Sequence, residues 1–177
     1  MNRPMRIEWL RRVVFVAFLL CSVQVLNAQG QSAQADSTIQ RLWVDLGSGQ
    51  GTYKQGWAAA LSANYRRNEH FFTLRSAINS STFSGALLDA ALLYGRAFGL
   101  PPVWISNQHI WHVSAGAGLG FVWSDLAGGD TIGLPVQAQF SFHPIGGIGL
   151  AVTAFYNLNL EQSFGGMTIG VQIGAMP

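Results

Sequence analysis

From Thr131 to Leu158 the chain reads TIGLPVQAQFSFHPIGGIGLAVTAFYNL, and its apolar positions recur with period 2. Ile132, Leu134, Val136, Ala138, Phe140 and Phe142 fall on one face of a strand, and Gly133, Pro135, Gln137, Gln139, Ser141 and His143 on the other. After Pro144-Ile145-Gly146-Gly147 the alternation resumes. Ile148, Leu150, Val152, Ala154, Tyr156 and Leu158 then oppose Gly149, Ala151, Thr153, Phe155, Asn157 and Asn159. Strict alternation interrupted by a Pro/Gly turn predicts a β-hairpin with one apolar and one small or polar face. Each strand, if tilted, is long enough to cross a bilayer. Pro135 removes one ladder donor and is expected near a strand end or bulge.

The same pattern runs through the rest of the chain. Strands are predicted at Leu42 to Gly49, Trp57 to Arg66, His70 to Asn79, Ala86 to Phe98, His109 to Trp123 and Gly166 to Ala175. The fifth is the clearest, with Trp111, Val113, Ala115, Ala117, Leu119, Phe121 and Trp123 against His112, Ser114, Gly116, Gly118 and Gly120. Ala86 to Tyr94 alone would also suit a helix, and its neighbours decide for a strand. With the opening hairpin this makes eight antiparallel strands. The fold class expected is therefore all-β: an eight-stranded antiparallel up-and-down transmembrane β-barrel preceded by a signal peptide. Closure is what allows a sheet to sit in hydrocarbon, because it leaves no backbone group unpaired.

The N-terminus changes how composition is read. Arg3, Arg6, Arg11 and Arg12 precede the apolar run Val13 to Cys21, and Leu26-Asn27-Ala28 ends in a small-residue cleavage site. That is a secretory signal peptide. A lipoprotein signal at Cys21 is disfavoured by the bulky Leu20. The organisation expected is signal peptide 1–28, flexible N-terminal tail 29–41 and barrel 42–177. Cleavage near Ala28 would remove four of the ten basic residues and one of the eight acidic ones. The remaining balance is near −1, with no basic patch for nucleic acid. Cys21 is the single cysteine, so the exported chain has no disulfide framework and no thiol chemistry.

Three features point the apolar faces toward lipid rather than toward a core. The opposite faces carry Gly, Ala, Ser, Thr, Asn, Gln and few charges, which suits a narrow filled interior. A lipocalin would reverse the arrangement. Aromatic residues sit at the ends of the apolar faces: Trp57, Trp123 and Tyr156 at one rim, and Tyr65, Phe72, Trp111 and Phe142 at the other. They form two expected interfacial belts. Finally, the turns at Arg67 to Glu69 and Pro144 to Gly147 are short and share one side, as periplasmic turns do. The longer connection Gly99 to Gln108 lies on that side too.

Alternation such as GLPVQAQFSFHP and HVSAGAGLGFVW, behind a signal peptide, resembles the small outer-membrane β-barrel class, including the eight-stranded membrane domain of outer-membrane protein A. The resemblance implies insertion by the barrel assembly machinery, outer-membrane lipids as partners, a location in the cell outer membrane and a monomeric state. The class ends its last strand on an aromatic residue, where this chain has Ala175-Met176-Pro177.

Chemistry is sparse. Arg75 and Asp89 face inward on adjacent strands, and pairing across Ser80 to Gly85 is expected to set them opposite one another. The register then brings Ser62 or Ala60, and Asp45, to the same level. Asp45, Arg75 and Asp89 are thus expected to form a polar girdle inside the lumen, as a structural plug or, less simply, a gated path. His70, His109, His112 and His143 lack metal-site spacing, so no metal is expected. His112 and Ser114 share a face, yet they lie at the periplasmic rim, whereas barrel enzymes acting on lipid A work at the outer leaflet. Gly116, Gly118 and Gly120 lie within a strand, not between strand and helix, and so form no phosphate loop. They are expected to make room for bulkier lumen residues such as Trp43 or Phe155. The outward loops, Gln50 to Lys54, Ser80 to Gly85, Ser124 to Asp130 and Leu160 to Gly165, are short. The function expected is a structural or interaction role without catalysis and without a cofactor. A small pore or transporter is the alternative, ahead of a lipid-A-modifying enzyme or a soluble carrier.

Overall fold

The computed structural model describes residues 40–81, 85–99, 111–124, 129–145 and 147–175. The signal peptide, most of the tail, His109 and much of the long connection fall outside them.

Eight strands close into one barrel in sequence order. They are β1 Gln40–Gly51, β2 Trp57–Arg67, β3 His70–Ser81, β4 Gly85–Gly99, β5 Trp111–Ser124, β6 Thr131–Ile145, β7 Ile148–Asn159 and β8 Phe164–Gly174. Every neighbouring pair is antiparallel, and β8 returns to β1 with Leu46 opposite Val171. β1 starts at Gln40, two residues inside the segment expected to be tail, because Gln40 and Arg41 pair with Arg67 and Arg66. β8 starts at Phe164, where the sequence predicts loop.

The greasy faces look outward. Leu119 is 65% exposed, Phe140 40% and Val152 39%. Along β7 exposed and buried residues alternate without exception from Ile148 to Leu158. The inward residues make the core, and that core is the lumen. The sheet's two faces are thus the reverse of a soluble β-sandwich or lipocalin.

Three local features shape the wall. Asn68 adopts a positive φ of 57° in the two-residue turn between β2 and β3, a conformation asparagine tolerates. Pro135 lies well inside β6, not at its end. The β5–β6 pairing holds at Ala117–Val136 and Gly120–Gly133 and lapses between them, which is the cost of a missing N–H. A bulge between Phe142 and Ile145 instead marks the approach to the last short turn, with Gly147 at φ 90°. Gly118 answers to backbone rather than to side chains: a Cβ there would lie 1.9 Å from the Leu92 carbonyl oxygen of β4. The glycine run therefore lets two strands approach closely, beyond its expected role of leaving space for the opposite wall.

Below, the end of the barrel carrying Asn68 and Gly147 is the turn end, and the other is the loop end.

Candidate functional site

The lumen is layered. At the loop end Tyr53, Ala58, Ala77, Leu87, Val122, Phe155 and Phe164 form one buried apolar cluster. Tyr53 enters it from a 3-10 turn, Tyr53–Gln55, in the β1–β2 loop. Thr52 fastens that loop to β8: its N–H donates to the Gly165 carbonyl at 2.8 Å, and the Gly165 N–H donates to its Oγ1 at 2.8 Å. At the turn end Trp43, Phe71 and Ala97 form a second cluster, with the two rings stacked at 5.7 Å. Both plugs use the inward positions of strands, where alternation places Trp43, Phe71 and Phe155. Tyr53 and Phe164 lie where alternation says nothing.

Between the plugs lies a polar layer holding the three residues of the expected girdle. Arg75 Nη2 and Asp89 Oδ2 form an ion pair at 2.6 Å, and both side chains are buried. The register corrects their relation. Arg75 is opposite Ala91 and Asp89 opposite Ala77, so the pair is diagonal rather than face to face. Arg75 Nη1 also donates to Gln137 Oε1 at 3.3 Å, and its guanidinium lies 5.0 Å from the Phe155 ring centroid. Ser62 is directly opposite both Arg75 and Asp45, so the three share a level.

Asp45 is held by neutral donors. Ser62 Oγ, Asn64 Nδ2 and Gln139 Nε2 donate to its Oδ2 at 3.0, 2.6 and 3.0 Å. The network extends in both directions. Thr73 Oγ1 donates to Asn64 Oδ1 at 2.8 Å, and Gln172 Nε2 donates to Gln139 Oε1 at 3.3 Å. His143 Nε2 lies 2.6 Å from Gln172 Oε1, which makes that nitrogen the donor. One chain of amides and hydroxyls thus ties β1, β2, β3, β6 and β8 across the lumen. Asp45, Ser62, Arg75, Gln137, Thr153 and Thr168 also line a cavity of about 10 Å³, the room one water needs.

The remaining candidates fall on the rims and near the turn end. His112 and His143 point inward with ring centroids 5.4 Å apart, and Ser114 is buried on the same face as His112. His70 faces outward, its Nδ1 2.6 Å from the Tyr94 hydroxyl. Among the described residues no three His, Cys, Asp or Glu side chains converge as a metal site would require. The seven belt aromatics all lie at outward positions. At the loop end Trp57 and Tyr156 are exposed, and Trp123 packs edge-on to Phe121 at 4.8 Å. At the turn end Tyr65 meets Phe72 at 6.3 Å, and Trp111 stacks on Phe142 at 4.2 Å. Tyr94, which the sequence reading left out, packs against Phe72 at 5.1 Å.

A closed eight-stranded barrel with a filled polar lumen and an apolar exterior is the fold of the small outer-membrane β-barrels. The chain is similar to the N-terminal β-barrel domain of Pseudomonas aeruginosa OprF, with a TM-score of 0.57 at 15% identity over 78% of this chain and 99% of that one. It is similar to Ail, the attachment invasion locus protein of Yersinia pestis, with a TM-score of 0.55 at 13% identity over 76% and 98%. It is also similar to Neisserial surface protein A, with a TM-score of 0.51 at 18% identity over 78% and 99%. No family model and no curated protein matches the chain.

Proposed function

We propose that the chain is a monomeric integral protein of the outer membrane of a Gram-negative envelope, with a structural or interaction role and no catalytic activity. The turn end faces the periplasm in this reading. The barrel assembly machinery inserts the chain, and outer-membrane lipids cover its exterior. The observation that carries the reading is the double closure of the lumen: an apolar plug at each end, with a cross-linked polar layer between them. A wet pore would need both plugs to move and the Arg75–Asp89 pair to part.

The attachment named in Ail is not carried over, since likeness at 13% identity supports the fold alone. Described loops such as 160–163 are short and offer little surface for adhesion. A lipid-modifying enzyme would need its nucleophile and base at the loop end, whereas His112, His143 and Ser114 lie toward the turn end. The test is conductance of the refolded chain in a planar bilayer, together with its gel mobility before and after heating. A mobility shift without conductance supports this reading. Steady single-channel conductance would favour the small pore or transporter instead.

A further inference from the structure

On the outer surface at the turn end, β2, β3 and β4 bring Arg67, His70 and Arg96 into one row. Arg67 is directly opposite His70, and His70 directly opposite Arg96. All three are exposed. The next outward row on these strands is Tyr65, Phe72 and Tyr94, and the one after it Ala63, Leu74 and Leu92. The surface therefore runs from cationic through aromatic to aliphatic within three steps. Three neighbouring strands span about 10 Å, so the row is one headgroup wide.

The local groups leave this row positive. Arg96 Nη1 is 3.8 Å from Glu69 Oε2, but both side chains are well exposed, so the pair is weak and most guanidinium donors stay available. His70 stacks on Tyr94 with ring centroids 5.9 Å apart, which holds both rings at the boundary. Behind the row, Arg41 and Arg66 sit opposite each other on the inward faces of β1 and β2 and add to the same field. Arg66 Nε donates to the Asn68 carbonyl in the turn.

At the turn end the cationic side chains belong to β1 to β4. No lysine or arginine follows Arg96 in the chain. At the same end, outward positions of β5 to β8 are Trp111, Phe142, Pro144, Ile148 and Ile173. Around the loop end the exposed described charges are Asp130 and Glu161.

We propose that this flank binds one anionic phospholipid of the leaflet bordering the turn end. Arg67 and Arg96 hold its phosphate, and the headgroup rests against the His70–Tyr94 pair. The acyl chains lie over Leu74 and Leu92. Guanidinium forks match phosphate oxygens in pairs, and aromatic rings settle at headgroup depth. A zwitterionic headgroup brings its own ammonium toward two arginines and is disfavoured. This proposal rests on the membrane reading above.

The test is native mass spectrometry of the refolded chain from bilayers of equal phosphatidylglycerol and phosphatidylethanolamine with identical acyl chains. The wild type is expected to retain the anionic lipid over the zwitterionic one by about 25-fold, and each arginine removed to lower the ratio about fivefold. R67Q/R96Q then falls near unity, whereas R67K/R96K keeps a clear preference. A wild-type ratio near unity overturns the proposal without any variant, as does a ratio unchanged in R67Q/R96Q. A chain that enters the bilayer without lipid preference overturns this proposal alone. A chain that enters no bilayer overturns the membrane reading with it.

Discussion

Arg75 reaches Asp89 on a diagonal: the two are bonded at 2.6 Å although each faces an alanine, Ala91 and Ala77, across the strand pair. The geometry suits a long guanidinium side chain and a short acid one two residues off register. It also ties β3 to β4 in the middle of the lumen, where neither charge meets bulk water. Removing one partner leaves the other buried without compensation. Arg75→Ala is therefore expected to cost about 3–5 kcal/mol, read by urea unfolding from lipid vesicles. Replacing both, as Arg75→Met with Asp89→Leu, is expected to recover most of that loss. If Arg75→Ala matches the wild type in both stability and conductance, the girdle has no part in holding or closing the lumen.

The plug at the loop end gives a second prediction. Phe164 is wholly buried against Tyr53 and Phe155. Phe164→Ala is expected to lower stability by about 3–5 kcal/mol. The nearby exposed Glu161→Ala is expected to stay within about 0.5 kcal/mol. Both are measured in the same unfolding assay. The single plug variant stays non-conducting, because Trp43 and Phe71 still close the turn end.

The close approach of β4 and β5 predicts unequal effects within one glycine run. Gly118→Val places a Cβ 1.9 Å from the Leu92 carbonyl oxygen, where neither strand can yield without breaking the ladder. That variant is expected to give no heat-shifted folded band. At Gly116 the nearest atom to an added Cβ is the Tyr94 carbonyl oxygen at 3.1 Å. Gly116→Ala is expected to fold, with a modest loss of stability.

A charge on the greasy face gives a fourth. Leu119, mid-way along β5 and opposite Leu92, faces outward. In a bilayer Leu119→Arg is expected to cost about 2–4 kcal/mol, again by unfolding from vesicles. In a water-soluble barrel an arginine at such an exposed position would be nearly neutral.

Much of the fold was legible because period 2 is unambiguous where one face is apolar throughout. β5, β6 and β7 carry that signal over ten or more residues each, and it assigns their inward and outward residues correctly. The level of Asp45 and Arg75 was legible only in part: the short polar turn after β2 limits the β2–β3 register, but Ser62 and Ala60 share a face, and only the structure decides for Ser62. The β3–β4 register was not legible. Its loop length was open, and a slip of two residues keeps every side chain on its own face, so alternation cannot detect it. Asn64, Gln139 and Gln172 were readable as inward polar residues, but not as the donors of one network. Tyr53 and Phe164 lie in or beside loops, where no periodicity marks a residue for burial. Pro135 is expected near a strand end or bulge, yet the barrel accepts it in mid-strand by giving up local pairing with β5, with the same register on either side.

The central claim is that the exposed apolar face of this barrel meets acyl chains and the buried face meets a closed lumen. The measurement that tests it most directly is a cysteine and spin-label scan of β7, from Ile148 to Leu158, in lipid vesicles. The account predicts that collision with dissolved oxygen oscillates with period 2, high at Leu150, Val152, Ala154 and Tyr156 and low at Ala151, Thr153 and Phe155. A polar nickel relaxant should reach neither set at mid-strand. Outward positions open to the nickel reagent and poor in oxygen contact would contradict it, and would put this barrel in water.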